Sequence, residues 1–140
     1  MTGVNHFAAG ALIATVTVNP WVAVPAAFFS HVVLDAMPHF GRSSLSRQRL
    51  MIVIDACLLL LLAGLVWGSG NTLAMVCGVV ALALDALWIP MFLAEQRGKQ
   101  YVFNRLEHLL HVIQWGERPW GWVLEAAYFG LIMSLLLPRL

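Results

Sequence analysis

An all-α integral membrane bundle is the fold class predicted for this chain, and three observations predict it. Hydrophobic residues fill 61% of its 140 positions and charged ones only 11%, whereas a soluble domain carries about a quarter charged residues. Five apolar segments follow one another, at 4–18, 20–37, 50–67, 72–94 and 119–138. Most of the basic residues gather in two of the connections between them. At roughly 20 residues per crossing, residues 1–140 make a single membrane domain of about five transmembrane helices, with no separate soluble module.

The first segment, within MTGVNHFAAGALIATVTV, has no Lys or Arg before its apolar run. A cleaved secretory signal begins with basic residues, so this segment is expected to be a retained helix. Asn19-Pro20 is a turn signal that separates it from the second segment. Both are short for a full crossing, which suits a tight hairpin of short or tilted helices. GSGN, at 68–71, joins the third and fourth segments. Pro90 lies within the fourth and can kink or loosen it. Residues 100–115 alternate Tyr101, Val102, Leu106, Leu109, Leu110, Val112, Ile113 and Trp115 with polar groups. That pattern predicts an amphipathic helix lying on the membrane surface or folded back into the bundle.

Loop charge sets the expected orientation, because cytoplasmic loops are enriched in Lys and Arg. Arg42, Arg47 and Arg49 occupy one loop; Arg97, Lys99, Arg105 and Arg118 occupy another; only Arg139 falls on the opposite side. The expectation is a multi-pass protein with a cytoplasmic N-terminus and the amphipathic helix on the cytoplasmic side. A formal net charge of +1 argues against a nucleic-acid partner, which requires a basic patch to neutralise phosphates. Cys57 and Cys77 map to opposite ends of neighbouring segments and are not expected to pair. The tryptophans fall mostly near segment boundaries, as interfacial anchors do. A bundle of this size covers little of its lateral surface, so a homo-oligomer or a larger membrane complex is expected in addition to the lipid bilayer.

With that topology, all five histidines and all three aspartates map to the cytoplasmic half. His6 lies near the start of the first helix. His31 and Asp35 share a face of the second, since four residues pass about 40° beyond a full turn; His39 follows Pro38. Asp55 is about a turn and a half into the third helix and Asp85 lies inside the fourth. His108 and His111, spaced i, i+3, share a face of the amphipathic helix. A carboxylate near the bilayer centre costs on the order of 3 kcal/mol on insertion scales and faces an interior, a partner or a cavity. One shared cation would stabilise several such acids, and imidazole and carboxylate are ligand types that zinc, manganese or iron accept. Glu125, about two turns into the fifth helix, is a candidate general base or a partner of Arg118. Each aspartate precedes an alanine, in LDA (34–36), IDA (54–56) and LDA (84–86), and a small neighbour allows close helix approach.

NHFAAGA, SHVVLDAMPHF, ALALDALW and EHLLHVIQW followed by RPWGWVLE together resemble a group of small bacterial membrane proteins described as predicted membrane-bound metal-dependent hydrolases. Their layout is similar to that of the LexA-regulated inner-membrane hydrolase family. The resemblance covers nearly the whole chain, and its most specific part is the His-x-x-x-Asp-x-x-Pro-His core. It implies a bacterial inner membrane as the setting and a metal site carried by His6, His31, Asp35 and His39, with Asp85, His108 and His111 as further members and Asp55 as an auxiliary ligand. The better-known branch carries a Leu-Pro-Asp-x-Asp-His-Pro string, where this chain has DAMPHF and only Asp35.

Two function classes follow. In the first, the protein is a hydrolase whose divalent metal, zinc ahead of manganese or iron, activates water on a lipid-like ester or phosphoester at the cytoplasmic leaflet, with Asp35 and Glu125 as catalytic carboxylates. In the second, it is a non-enzymatic membrane protein, either an accessory subunit or a small ion or proton carrier, whose His/Asp cluster relays charge. The chain has no Gly-x-Ser-x-Gly elbow and no phosphate-binding glycine loop, so neither serine-hydrolase nor nucleotide chemistry is expected.

Overall fold

The computed structural model describes residues 1–41, 45–114 and 116–140, with backbone alone at 45, 46, 95 and 96. Arg42 of the basic loop and Trp115 of the amphipathic stretch lie outside the described residues. The architecture is all-α. Its helices are α1 (Gly3–Val16), α2 (Pro20–Asp35), α3 (Leu45–Gly68), α4 (Thr72–Ala81), α5 (Ile89–Gln96), α6 (Arg105–Ile113) and α7 (Trp122–Leu136), with short 3-10 turns at Asp85–Trp88 and Leu137–Arg139.

Among the described residues, three stretches are long and apolar enough to cross a membrane: Arg47–Gly68, Thr72–Ala94 and Trp122–Arg139. The 14 residues of α1 and 16 of α2 extend only about 21 and 24 Å at 1.5 Å per residue, short of a hydrocarbon core of about 30 Å. α1 is instead the centre of the bundle, packed against α2, α3, α4 and α7. Ala8, Ala11 and Ala14 are buried along it.

Local chemistry explains the boundaries. Asn19 accepts a hydrogen bond from the Trp21 amide and Pro20 occupies the first turn of α2, where its missing N–H costs nothing. Asn71 caps α4 by accepting from the Ala74 amide. α3 begins at Leu45, earlier than the expected residue 50, because the Arg-containing segment before the apolar run continues the helix. The expected single helix over 72–94 is broken: α4 ends at Ala81 and a 3-10 turn carries Asp85 before α5 resumes. Pro90 accounts for the far end of the break, since it cannot donate to the carbonyl of Ala86 and its ring crowds that group; the Ile89 amide bonds Ala86 in its place.

The α1–α4 contact is set by small residues. A Cβ built on Gly10 would fall 2.8 Å from Ala81 Cβ and still closer to the Cys77 carbonyl oxygen. Ala74, Cys77 and Ala81 are fully buried. Close backbone approach through small side chains is the usual basis of helix association in lipid. The alanines that follow Asp55 and Asp85 do not serve it, since Ala56 and Ala86 are exposed.

Two short strands, β1 (His39–Phe40) and β2 (Glu117–Arg118), pair in parallel with His39 opposite Glu117. They join the exit of α2 to the entry of α7. Gly121 packs directly on the His39 carbonyl, leaving no space for a Cβ.

Gly10→Ala should lower stability by about 1–3 kcal/mol, the usual cost of overpacking. Gly64→Ala, whose Cβ would meet nothing within 4 Å, should be neutral or stabilising by about 0.5–1 kcal/mol. Thermal unfolding of the two variants in detergent micelles compares them.

Candidate metal centre

The polar ends of α1, α2, α3, α7 and the α4–α5 break meet at one end of the bundle. A helix start buried there has N–H groups without intrahelical partners. Asp55 of α3 accepts from the Gly3 amide at 2.9 Å and the Val4 amide at 2.8 Å. Glu125 of α7 accepts from the Thr2 amide at 3.1 Å and, with its other oxygen, from the Phe40 amide at 2.8 Å. Two carboxylates from distant helices thus hold the first turn of α1 in place.

That anchoring presents His6 to α2. The His6 and His31 rings stack with centroids 3.8 Å apart and planes 13° from parallel, and both side chains are almost wholly buried. His31 Nδ1 lies 2.7 Å from the Ala81 carbonyl oxygen. A carbonyl only accepts, so Nδ1 carries the hydrogen, and in the neutral ring Nε2 presents its lone pair. This Nε2 is 3.2 Å from Asp35 Oδ2 and 3.8 Å from Asp85 Oδ1. His6 Nε2 is 3.2 Å from Asp35 Oδ1, without hydrogen-bond geometry, since both His6 nitrogens are buried without a partner. Asp85 Oδ2 is likewise buried and unpartnered.

Among the described residues, His6, His31 and Asp85 form one group whose ligand atoms all lie within 4.8 Å of one another. Two imidazole nitrogens and a carboxylate oxygen make a donor set suited to a divalent metal. Orphaned lone pairs facing one another in a buried space cost free energy unless a cation or proton lies between them. The group could therefore hold a metal ion.

Asp35 borders the group on the α2 side. Besides its two histidine contacts, it accepts from Gln114 Nε2 at 3.0 Å, and the Met1 amino nitrogen lies 2.6 Å from its Oδ1. Gln114, just past the end of α6, is a site residue that the sequence analysis did not single out.

The other expected ligands go elsewhere. His39 is buried, but its Nδ1 lies 2.7 Å from the Met37 carbonyl oxygen, and its backbone belongs to β1. His108 and His111 are exposed; His111 stacks on Phe103 with centroids 5.4 Å apart and meets Trp88 edge-on. Asp55 and Glu125 spend both oxygens on backbone N–H groups. In α6 the buried acid is Glu107, which forms a capping box with Asn104 and accepts from the Tyr101 hydroxyl at 2.8 Å. That bond raises the Tyr101 phenol above its ordinary pKa.

No protein-family model, curated protein or solved structure matches this chain.

Asp55→Ala should cost about 2–6 kcal/mol of stability, because it leaves the buried Gly3 and Val4 amides without an acceptor, while the protein that remains folded keeps its metal. Thermal unfolding and elemental analysis of the same preparation separate a cap from a ligand.

Proposed function

We propose that the chain is a multi-pass membrane protein whose His6/His31/Asp85 group holds a divalent metal for hydrolysis of a lipid-like ester or phosphoester. The observation that carries this reading is the convergence of three ligand atoms within 4.8 Å, two of the residues having buried atoms without a hydrogen-bond partner. The likeness of NHFAAGA and SHVVLDAMPHF to predicted membrane-bound metal-dependent hydrolases adds support. Zinc is the first choice, since two imidazoles and a carboxylate are one of its catalytic donor sets and leave a coordination position open; manganese and iron accept the same donors.

A metal bound here would supply Lewis acidity and lower the pKa of water. The chain's own residues do the rest. The Ala81 carbonyl fixes the His31 tautomer, so Nε2 is left with the lone pair that would hold a metal. Asp35, alongside both Nε2 atoms, is placed to take a proton, and Gln114 orients its carboxylate.

The proposed setting is an inner membrane crossed about five times, with the shorter α1 and α2 as a tilted hairpin and the N-terminus cytoplasmic. Arg47, Arg49, Arg97, Lys99, Arg105 and Arg118 flank the connections at the end of the bundle that carries the site, which supports this orientation. The apolar residues Leu106, Leu109 and Val112 of α6 are all exposed, as suits a helix resting on the bilayer surface. The exposed aliphatic faces of the long helices leave room for a homo-oligomer or a larger complex.

A second reading has its own observation: His31 Nε2 within 3.2 Å of Asp35 suits an imidazolium between two carboxylates, hence a proton relay without metal.

Elemental analysis decides between them. The protein purified without chelator should carry about one metal per chain, and His31→Ala or Asp85→Ala should reduce this below about 0.2, with His111→Ala unaffected. Asp35→Asn should retain the metal but lower hydrolysis of a monoacylglycerol by about 10²–10⁴, the range for loss of a general base. Metal below about 0.2 per chain in the unaltered protein would leave the relay reading standing in its place.

A further inference from the structure

A groove of about 260 Å³ opens between α3 and α7, with α1 as its floor. Both helices pack on α1 but scarcely on each other. Its walls are apolar: Ile54 and Leu58 from α3, Trp122, Ala126 and Phe129 from α7, and Val4 below. Ile54 and Trp122 are 42% and 52% exposed, so the groove faces outward between two helices long and apolar enough to span a membrane. In that setting its surroundings are lipid.

One end of the groove is polar. Asn5, Asp55 and Glu125 line it. Asn5 Nδ2 donates to Thr2 Oγ1 at 2.9 Å and to the Glu125 carbonyl at 3.2 Å. Since that carbonyl only accepts, the amide orientation is fixed and Oδ1 is the free atom. Asn5 is 1% exposed and its Oδ1 has no partner. An occupant that carries an O–H or N–H at this end would complete Asn5, and two carboxylates beside it disfavour an anionic headgroup. The volume lies below the range of about 300–1,000 Å³ typical of drug-sized sites, which suits one acyl chain better than two.

We infer that the α1/α3/α7 groove seats a single-chain lipid whose uncharged, hydroxyl-bearing head donates to Asn5, as a monoacylglycerol would. The groove adjoins the metal centre through Gly3: a Cβ there would lie 3.1 Å from Asp55 Oδ2 and 3.8 Å from Asp85 Oδ2. The lipid's polar end thus sits one backbone thickness from the proposed ligands. The inference names a substrate class for the hydrolase reading and rests on it for its consequence, whereas lipid binding is read without metal.

The test is native mass spectrometry of the full chain in detergent micelles, titrated with monooleoylglycerol and separately with ionised oleate. One monooleoylglycerol should be retained per chain, with oleate held at least about tenfold more weakly. Ala126→Trp, and Leu58→Trp from the opposite wall, should each weaken retention at least about tenfold with helical content unchanged, and Ala127→Trp on the neighbouring face should not. Equal retention of oleate, or retention indifferent to both wall substitutions, overturns the assignment. So does a dimer that the same substitutions abolish, because the groove would then belong to a second copy. Loss of metal with lipid retention intact would sink the hydrolase reading and leave the groove assignment standing.

Discussion

The arrangement depends on how the first turn of α1 satisfies its backbone. A helix that begins inside an apolar bundle has N–H groups that lipid cannot serve, each costing several kcal/mol if left bare. Asp55 and Glu125 meet that demand from α3 and α7, accepting from Thr2, Gly3 and Val4. Their grip sets the depth of α1, and with it the position of His6 against His31. Close packing of Gly10 on Cys77 then fixes the distance to α4, from which Ala81 orients His31 and the following turn delivers Asp85. The His6/His31/Asp85 group, which could hold a metal ion, is thus built on a capping arrangement made by acids that do not belong to it.

Hydropathy made the helices legible because an apolar run of suitable length has few alternatives in this composition. Asn19-Pro20 and GSGN marked the breaks between segments, and Asn19 and Asn71 within them cap the helices that follow. The break before Pro90 was visible as a place for a kink. Its outcome, a 3-10 turn that turns Asp85 toward His31, depends on packing against α1 and α2 that no local pattern carries. The β1–β2 pairing was not legible at all, since two residues on each side give no periodicity to read.

For the site, i, i+4 spacing correctly put His31 and Asp35 on one face, whereas the full burial of His6, expected near the membrane surface, depends on the packing of α1 at the centre of the bundle. Spacing states which residues share a face without stating what that face meets. His108 and His111 share one as expected, yet it meets Phe103, Trp88 and the surroundings instead of the centre. Asp55 and Glu125 were read as chemistry because a buried acid in an apolar segment signals function; an uncapped helix start elsewhere in the chain is an equally strong reason for one. Gln114 had a signal of its own, a side-chain amide one turn beyond His111 at the end of the amphipathic helix α6.

The short central helix also bears on biogenesis. α1 emerges from the ribosome before any of its partners, yet at about 21 Å it is too short to settle across a bilayer alone. Its polar start finds an acceptor in Asp55 once α3 is made and in Glu125 only when α7 follows. The first of these helices to be synthesised is therefore among the last to dock. Truncation anywhere before α7 would leave the inserting chain without a finished core.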